Sequence, residues 1–225
     1  MMCVAMVIAM MPAMAFAEGE VINSTAELQA AIDKATEGST IRLAPGVNYG
    51  TIYVRPTANN ETVMKCKTHG YTTGNATDFK AHMTNKDWHT TPIYTTTFRD
   101  VTIVGAEGAT IAGFVATSGH AYGDVYDYVR DIDYTEGSAY YNTLNISNLT
   151  FQEVAFTGKI DINTSDADSV YDGVTFEKCS FTTGGTAASN GAAIRYYNEN
   201  NNGNVKNINV TECEFNNCYQ GGARI

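Results

Sequence analysis

The chain has 225 residues, enough to bury one sizeable core, so a single domain is the default expectation. It is 44% hydrophobic but only 17% charged, with 14 Lys and Arg against 24 Asp and Glu and a formal net charge of -10. No basic run occurs, which argues against a nucleic-acid partner. Abundant Gly and Tyr with few charges suits β-structure with many turns better than a helical bundle.

Residues 1–17 carry no charge and are almost wholly apolar, ending in Ala15-Phe16-Ala17. That small-x-small ending is the pattern before a signal-peptidase cut, and seventeen residues is short for a membrane span of roughly 20. No Lys or Arg precedes the apolar run, so the true start is expected upstream of Met1. The reading is a signal peptide over 1–17, a secreted or cell-surface protein, and no membrane span in the mature chain.

Ser24-Thr25-Ala26-Glu27 forms a capping box, and Leu28, Ala31, Ile32 and Ala35 follow on one helical stripe. The spacing predicts a short helix within 18–38, closed by Gly38 at a C-cap position. Thr40-Ile41-Arg42-Leu43 and Thr51-Ile52-Tyr53-Val54 read as strands around a Pro45-Gly46 turn. No other convincing helical period appears.

The downstream part repeats. Leu149-x-Phe151-x-x-Val154-x-Phe156 recurs as Val174-x-Phe176-x-x-Cys179-x-Phe181 and as Ile208-x-Val210-x-x-Cys213-x-Phe215, with starts 25 and 34 residues apart. Val101-x-Ile103 opens a weaker copy. Period-2 alternation buries one face of a strand, and the three-residue step bends the chain once while keeping the same side inward. Periods of this size mark a solenoid whose units bury their faces by stacking. Cys179 and Cys213 share the position of Val154 and are expected as small inward hydrophobes, with a cross-copy disulfide as the alternative.

The runs Ser24 to Ile32 and Gly38 to Gly46 resemble the opening of pectin-lyase-like right-handed parallel β-helix proteins. Gly191-Ala192-Ala193-Ile194, Phe215-Asn216-Asn217-Cys218 and Gly221-Gly222-Ala223 resemble repeat segments of surface-exposed bacterial β-helices. The resemblance covers roughly residues 21–56 and 98–225. It implies an all-β, right-handed parallel β-helix over 39–225 whose open N-terminal end is covered by a short capping α-helix. It leaves function open, because lyases, hydrolases, adhesins and phage tailspikes share the scaffold.

Two departures from the repeat are expected to leave the coil. The first, about 57–97, holds His69, His82, His89, Cys66 and Trp88; no ligand spacing links the histidines. The second, about 114–143, holds Tyr122, Tyr126, Tyr128, Tyr134, Tyr140 and Tyr141 among Asp124, Asp127, Asp131, Asp133 and Glu136. These tyrosines either pack the insertion onto the scaffold or stack on a pyranose, with carboxylates accepting bonds from its hydroxyls. The candidate ligand-binding residues are therefore Tyr122, Tyr126, Tyr128, Asp127, Asp131 and Asp133, with a polysaccharide or other glycan as partner. No motif makes a cofactor evident; Asp131 and Asp133 are candidate oxygen ligands for Ca2+.

Candidates for an enzyme also exist. Asp161, Asp166, Asp168 and Asp172 lie around one copy with Lys159 and Arg195 near in sequence, but no complete catalytic motif is present. The chain stops after Gly221-Gly222-Ala223-Arg224, within a repeat, so further coils are expected beyond 225. Two functions follow: a secreted or cell-surface module that binds extracellular glycan or another surface partner, adhesin-like or structural, or the amino-terminal part of a polysaccharide lyase or glycoside hydrolase acting on an acidic polysaccharide.

Overall fold

A computed structural model describes residues 21–54, 63–66, 72–73, 92–120, 141–164, 169–183, 192–198, 204–218 and 222–224. The described elements are mostly strand, with one short helix. In chain order they are β1 (Val21–Ile22), α1 (Thr25–Asp33), β2 (Thr40–Leu43), β3 (Asn48–Tyr53), β4 (Val63–Cys66), β5 (Thr72–Thr73), β6 (Pro92–Arg99), β7 (Thr102–Val104), β8 (Thr110–Thr117) and β9 (Gly119–His120). There follow β10 (Tyr141–Gln152), β11 (Ala155–Phe156), β12 (Ile160–Thr164), β13 (Val170–Glu177), β14 (Ser180–Thr182), β15 (Ile194–Asn198), β16 (Asn204–Thr211), β17 (Glu214–Asn216) and β18 (Ala223–Arg224).

The strands form a ten-stranded and an eight-stranded sheet, and the chain passes back and forth between them. In the first, β2, β7, β10, β13 and β16 pair in parallel; in the second, β3, β8, β11, β14 and β17, with β12, β15 and β18, do the same. After α1, which links the parallel pair β1 and β2, no helix lies between paired strands among the described residues.

The repeat sets the register. Leu149 pairs with Val174 and Val174 with Ile208; Phe151 pairs with Phe176 and Phe176 with Val210; Phe156 pairs with Phe181 and Phe181 with Phe215. The rings of Phe151 and Phe176 stack at 5.0 Å and those of Phe156 and Phe181 at 5.2 Å, close to the 4.7–4.9 Å strand spacing. Across the core, Phe114 and Phe151 meet edge to face at 4.9 Å, which joins the two sheets into one apolar interior.

The bends have a backbone cause. Asp100, Asn148, Gly173 and Asn207 occupy matching positions before the Leu149-type residue, and all have positive φ. Glu153, Lys178 and Glu212 do the same in the three-residue step, with φ of 56, 51 and 53. One left-handed residue per bend turns the strand while returning the next side chain to the interior. At Gly173 the φ is 81, a conformation that favours glycine over an ordinary side chain.

The N-terminal end is closed as its capping box suggests. Ser24 accepts from the Glu27 N–H at 3.2 Å, and Glu27 Oε2 reaches back to the Asn23 N–H at 2.7 Å. Leu28, Ala31, Ile32 and Ala35 are buried. Gln29 donates to the Tyr53 carbonyl and accepts from its N–H, both at 2.9 Å, so a side-chain amide stands in for a neighbouring strand along β3. The helix ends at Asp33 with Lys34 as its cap, not at Gly38. Gly38, with φ of 81, instead belongs to the column of bends, its N–H bonded to the Asp100 carbonyl.

The first expected insertion ends in a strand, and the second begins and ends in one. Residues 92–97 lie in β6, which runs parallel to β10 and buries Thr96 and Phe98; antiparallel β4 joins β6 on its other edge. Residues 114–117 belong to β8, where Phe114 and Ala116 are core, and 141–143 belong to β10. The stem of the second segment is closed by β9, antiparallel to the start of β10, with His120 opposite Tyr141.

Candidate ligand-binding face

On β12 the alternation that buries Ile160 and Ile162 turns Asp161 outward, and the same alternation on β15 turns Arg195 outward between Ile194 and Tyr196. The two strands pair with Asp161 opposite Arg195. Arg195 Nη1 donates to Asp161 Oδ2 at 3.0 Å, Lys159 Nζ stands 3.6 Å from the same oxygen, and Asn163 Nδ2 donates to Asp161 Oδ1 at 2.6 Å. The carboxylate is thereby engaged on both oxygens. Among the described residues, two cations share this carboxylate.

The side chains of Arg195, Asp161 and Lys159 are 11%, 19% and 28% exposed. Burial holds the Lys159 ammonium below the usual lysine range; the Arg195 charge adds to this, and Asp161 opposes it. A lysine so placed gives up its proton more readily than a solvated one, while Asp161 and Arg195 fix its position. The column runs Tyr53, Val115, Asp161, Arg195 and Arg224 along the outer side of the eight-stranded sheet.

Of the enzyme candidates, the fold brings Lys159, Asp161 and Arg195 together and separates Asp172. Asp172 lies on β13 in the other sheet, where Asn207 Nδ2 donates to it at 2.6 Å and Lys206 Nζ stands at 3.1 Å. Those two partners hold its carboxyl below the usual range, although it is solvent-exposed. Asp161 and Asp172 therefore do not share one site, because β12 and β13 belong to different sheets. Asp166 and Asp168 lie outside the described residues. So do Tyr122, Tyr126, Tyr128, Asp127, Asp131 and Asp133, and with them the Ca2+ reading, and also Cys66, Trp88, His69, His82 and His89 as side chains.

Asn163 was not singled out from sequence, yet it completes the carboxylate's partners. The signal was the alignment of Ile160-x-Ile162 with Ile194-x-Tyr196, which places residues 161 and 163 on one face beside Arg195. Among the described residues, no three His, Cys, Asp or Glu side chains gather as metal ligands, and no helix is long and apolar enough to cross a membrane. Cys179 is core: its thiol donates to the Phe151 carbonyl at 3.3 Å, and burial pushes its pKa up to about 12. Comparison with protein-family models, curated proteins and solved structures returned no match to the chain.

Proposed function

We propose that the chain is an exported right-handed parallel β-helix of the pectin-lyase-like kind that binds an extracellular glycan. What supports the scaffold is the in-register stacking of three repeat copies in both sheets. The observation that carries the binding reading is the largely buried Lys159–Asp161–Asn163–Arg195 cluster on the eight-stranded sheet. Its donors suit the hydroxyl and carboxylate oxygens of an acidic saccharide. The Tyr/Asp-rich segment 121–140 follows β9, just beyond β8, and β8 pairs with β12: Thr117 stands opposite Asn163. Tyr122, Tyr126 and Tyr128 would add stacking surface, and Asp127, Asp131 and Asp133 hydrogen-bond acceptors or oxygen ligands for Ca2+. A cell-surface or secreted location accords with the apolar leader over 1–17.

A glycan array tests this reading. Binding to acidic polysaccharide is expected, weakened at least tenfold by Arg195→Ala and by Tyr126→Ala with Tyr128→Ala. An array without a hit contradicts it.

One observation favours a second reading, the amino-terminal part of a polysaccharide lyase or hydrolase: the lowered pKa of Lys159 beside Asp161 and Arg195. A lyase needs a base to take the proton next to a uronate carboxylate, and a lysine that deprotonates readily beside an arginine fits that task. Release of unsaturated uronides, abolished by Lys159→Met, would select this reading over binding alone.

A further inference from the structure

We propose that Cys179 and Cys213 form a disulfide-forming pair that joins two neighbouring repeat copies. Both are free thiols at the same repeat position. Their copies are locked in register around them: the Ser180 N–H bonds the Val154 carbonyl at 3.0 Å, and the Glu214 N–H bonds the Cys179 carbonyl at 2.9 Å. Each thiol donates to the carbonyl one copy back, Cys179 to Phe151 at 3.3 Å and Cys213 to Phe176 at 3.4 Å, so the two side chains follow the same inward course. Parallel strands stand about 4.8 Å apart, within the roughly 4.4–6.8 Å between Cα atoms that a disulfide spans. Cys218 is less suited, since its thiol donates to Phe181 at 3.6 Å, in the next column of the copy.

The two thiols differ in access. Cys213 is half-buried and Cys179 fully buried. Cys213, as thiolate, therefore attacks a small disulfide oxidant first, forming a mixed disulfide and releasing one thiol. The Cys179 sulfur then attacks the Cys213 sulfur, loses its proton and expels the second thiol. Two protein thiols are oxidised and one oxidant disulfide is reduced to two thiols. The burial that raises the Cys179 pKa makes the second step the slow one, so the mixed disulfide at Cys213 accumulates before the bridge closes.

The test is oxidation of the whole folded chain with oxidised glutathione, alkylation of remaining thiols, and tryptic mapping by mass spectrometry. The bridge lowers the mass by about 2 Da and links peptide 179–195 to peptide 207–224, with Cys218 alkylated. Fragmentation must place the bond at Cys213. Cys218→Ser is expected to keep the link and Cys213→Ser to lose it. Alkylated Cys179 and Cys213 after oxidation, or a bond from Cys213 to Cys218 or Cys66, would overturn the assignment.

Discussion

The middle copy and the last described copy carry the same residue pattern but different burial. Phe176 and Phe181 of β13 and β14 are 0% exposed, whereas Val210 and Phe215 of β16 and β17 are 38% and 37% exposed. Phe181 touches Phe156 on one side and Phe215 on the other; Phe215 has a described ring neighbour only in Phe181. Inward direction is thus a property of the local pattern, while burial is conferred by the copies on either side. Stability in such a stack is close to a sum of nearest-neighbour terms.

The largest expected effect tests that difference. Phe176→Ala removes a ring packed from both sides and should cost about 3–5 kcal/mol in denaturant unfolding. Phe215→Ala removes a ring covered on one side and should cost about 1–2 kcal/mol. Equal losses would break the nearest-neighbour account.

Tyr196 sharpens it further, being a polar-tipped member of the inward set. Its single hydroxyl proton is shared between the Lys206 carbonyl at 2.8 Å and the Tyr171 carbonyl at 3.1 Å, tying β15 to β13 and β16. Tyr196→Phe leaves two carbonyls without that donor and should cost about 1–2 kcal/mol by the same measurement.

The pH dependence follows from burial as well. An unfolded thiol ionises near its ordinary value of 9.0, but folded Cys179 holds its proton to about 12. The unfolded state therefore binds fewer protons between those values, and stability falls as pH rises through that window. Tyr49 and Tyr196, also raised by burial, extend the loss at higher pH. Cys179→Val should make the alkaline decline shallower, read from melting midpoints at pH 8 to 11 (roughly the window over which an ordinary thiol ionises).

The smallest effect concerns a bend. Lys178 is exposed with φ of 51, a conformation that costs an ordinary side chain energy. Lys178→Gly should be neutral or stabilising by up to about 0.5–1 kcal/mol. A clear loss would show that the side chain, not the backbone, sets that bend.

These bends also explain what the sequence could convey. The inward columns were readable because Leu149, Val174 and Ile208 repeat in phase, and α1 because its capping box and stripe agree. The left-handed positions were hidden, since Glu153, Lys178 and Glu212 carry no glycine signature and share only a place in the register. β6 was hidden differently: Pro92–Arg99 is Thr-rich and lacks the repeat's apolar pairs, yet buries Thr96 and Phe98 beside β10. For the charged face, Lys159, Asp161 and Arg195 were visible as chemistry, but their meeting depended on the β12–β15 pairing. Asp172 looked equally close in sequence and went to the other sheet.

The most direct test of the stacking is a double-mutant cycle on the ring column. Phe156 and Phe181 lie 5.2 Å apart in adjacent copies, and Phe215 lies one copy further along. Replacing Phe156 and Phe181 with Leu, singly and together, should give a coupling of about 0.5–1.5 kcal/mol. The Phe156–Phe215 cycle should give a coupling near zero. Coupling between Phe156 and Phe215 without any between Phe156 and Phe181 would contradict the register on which the account rests.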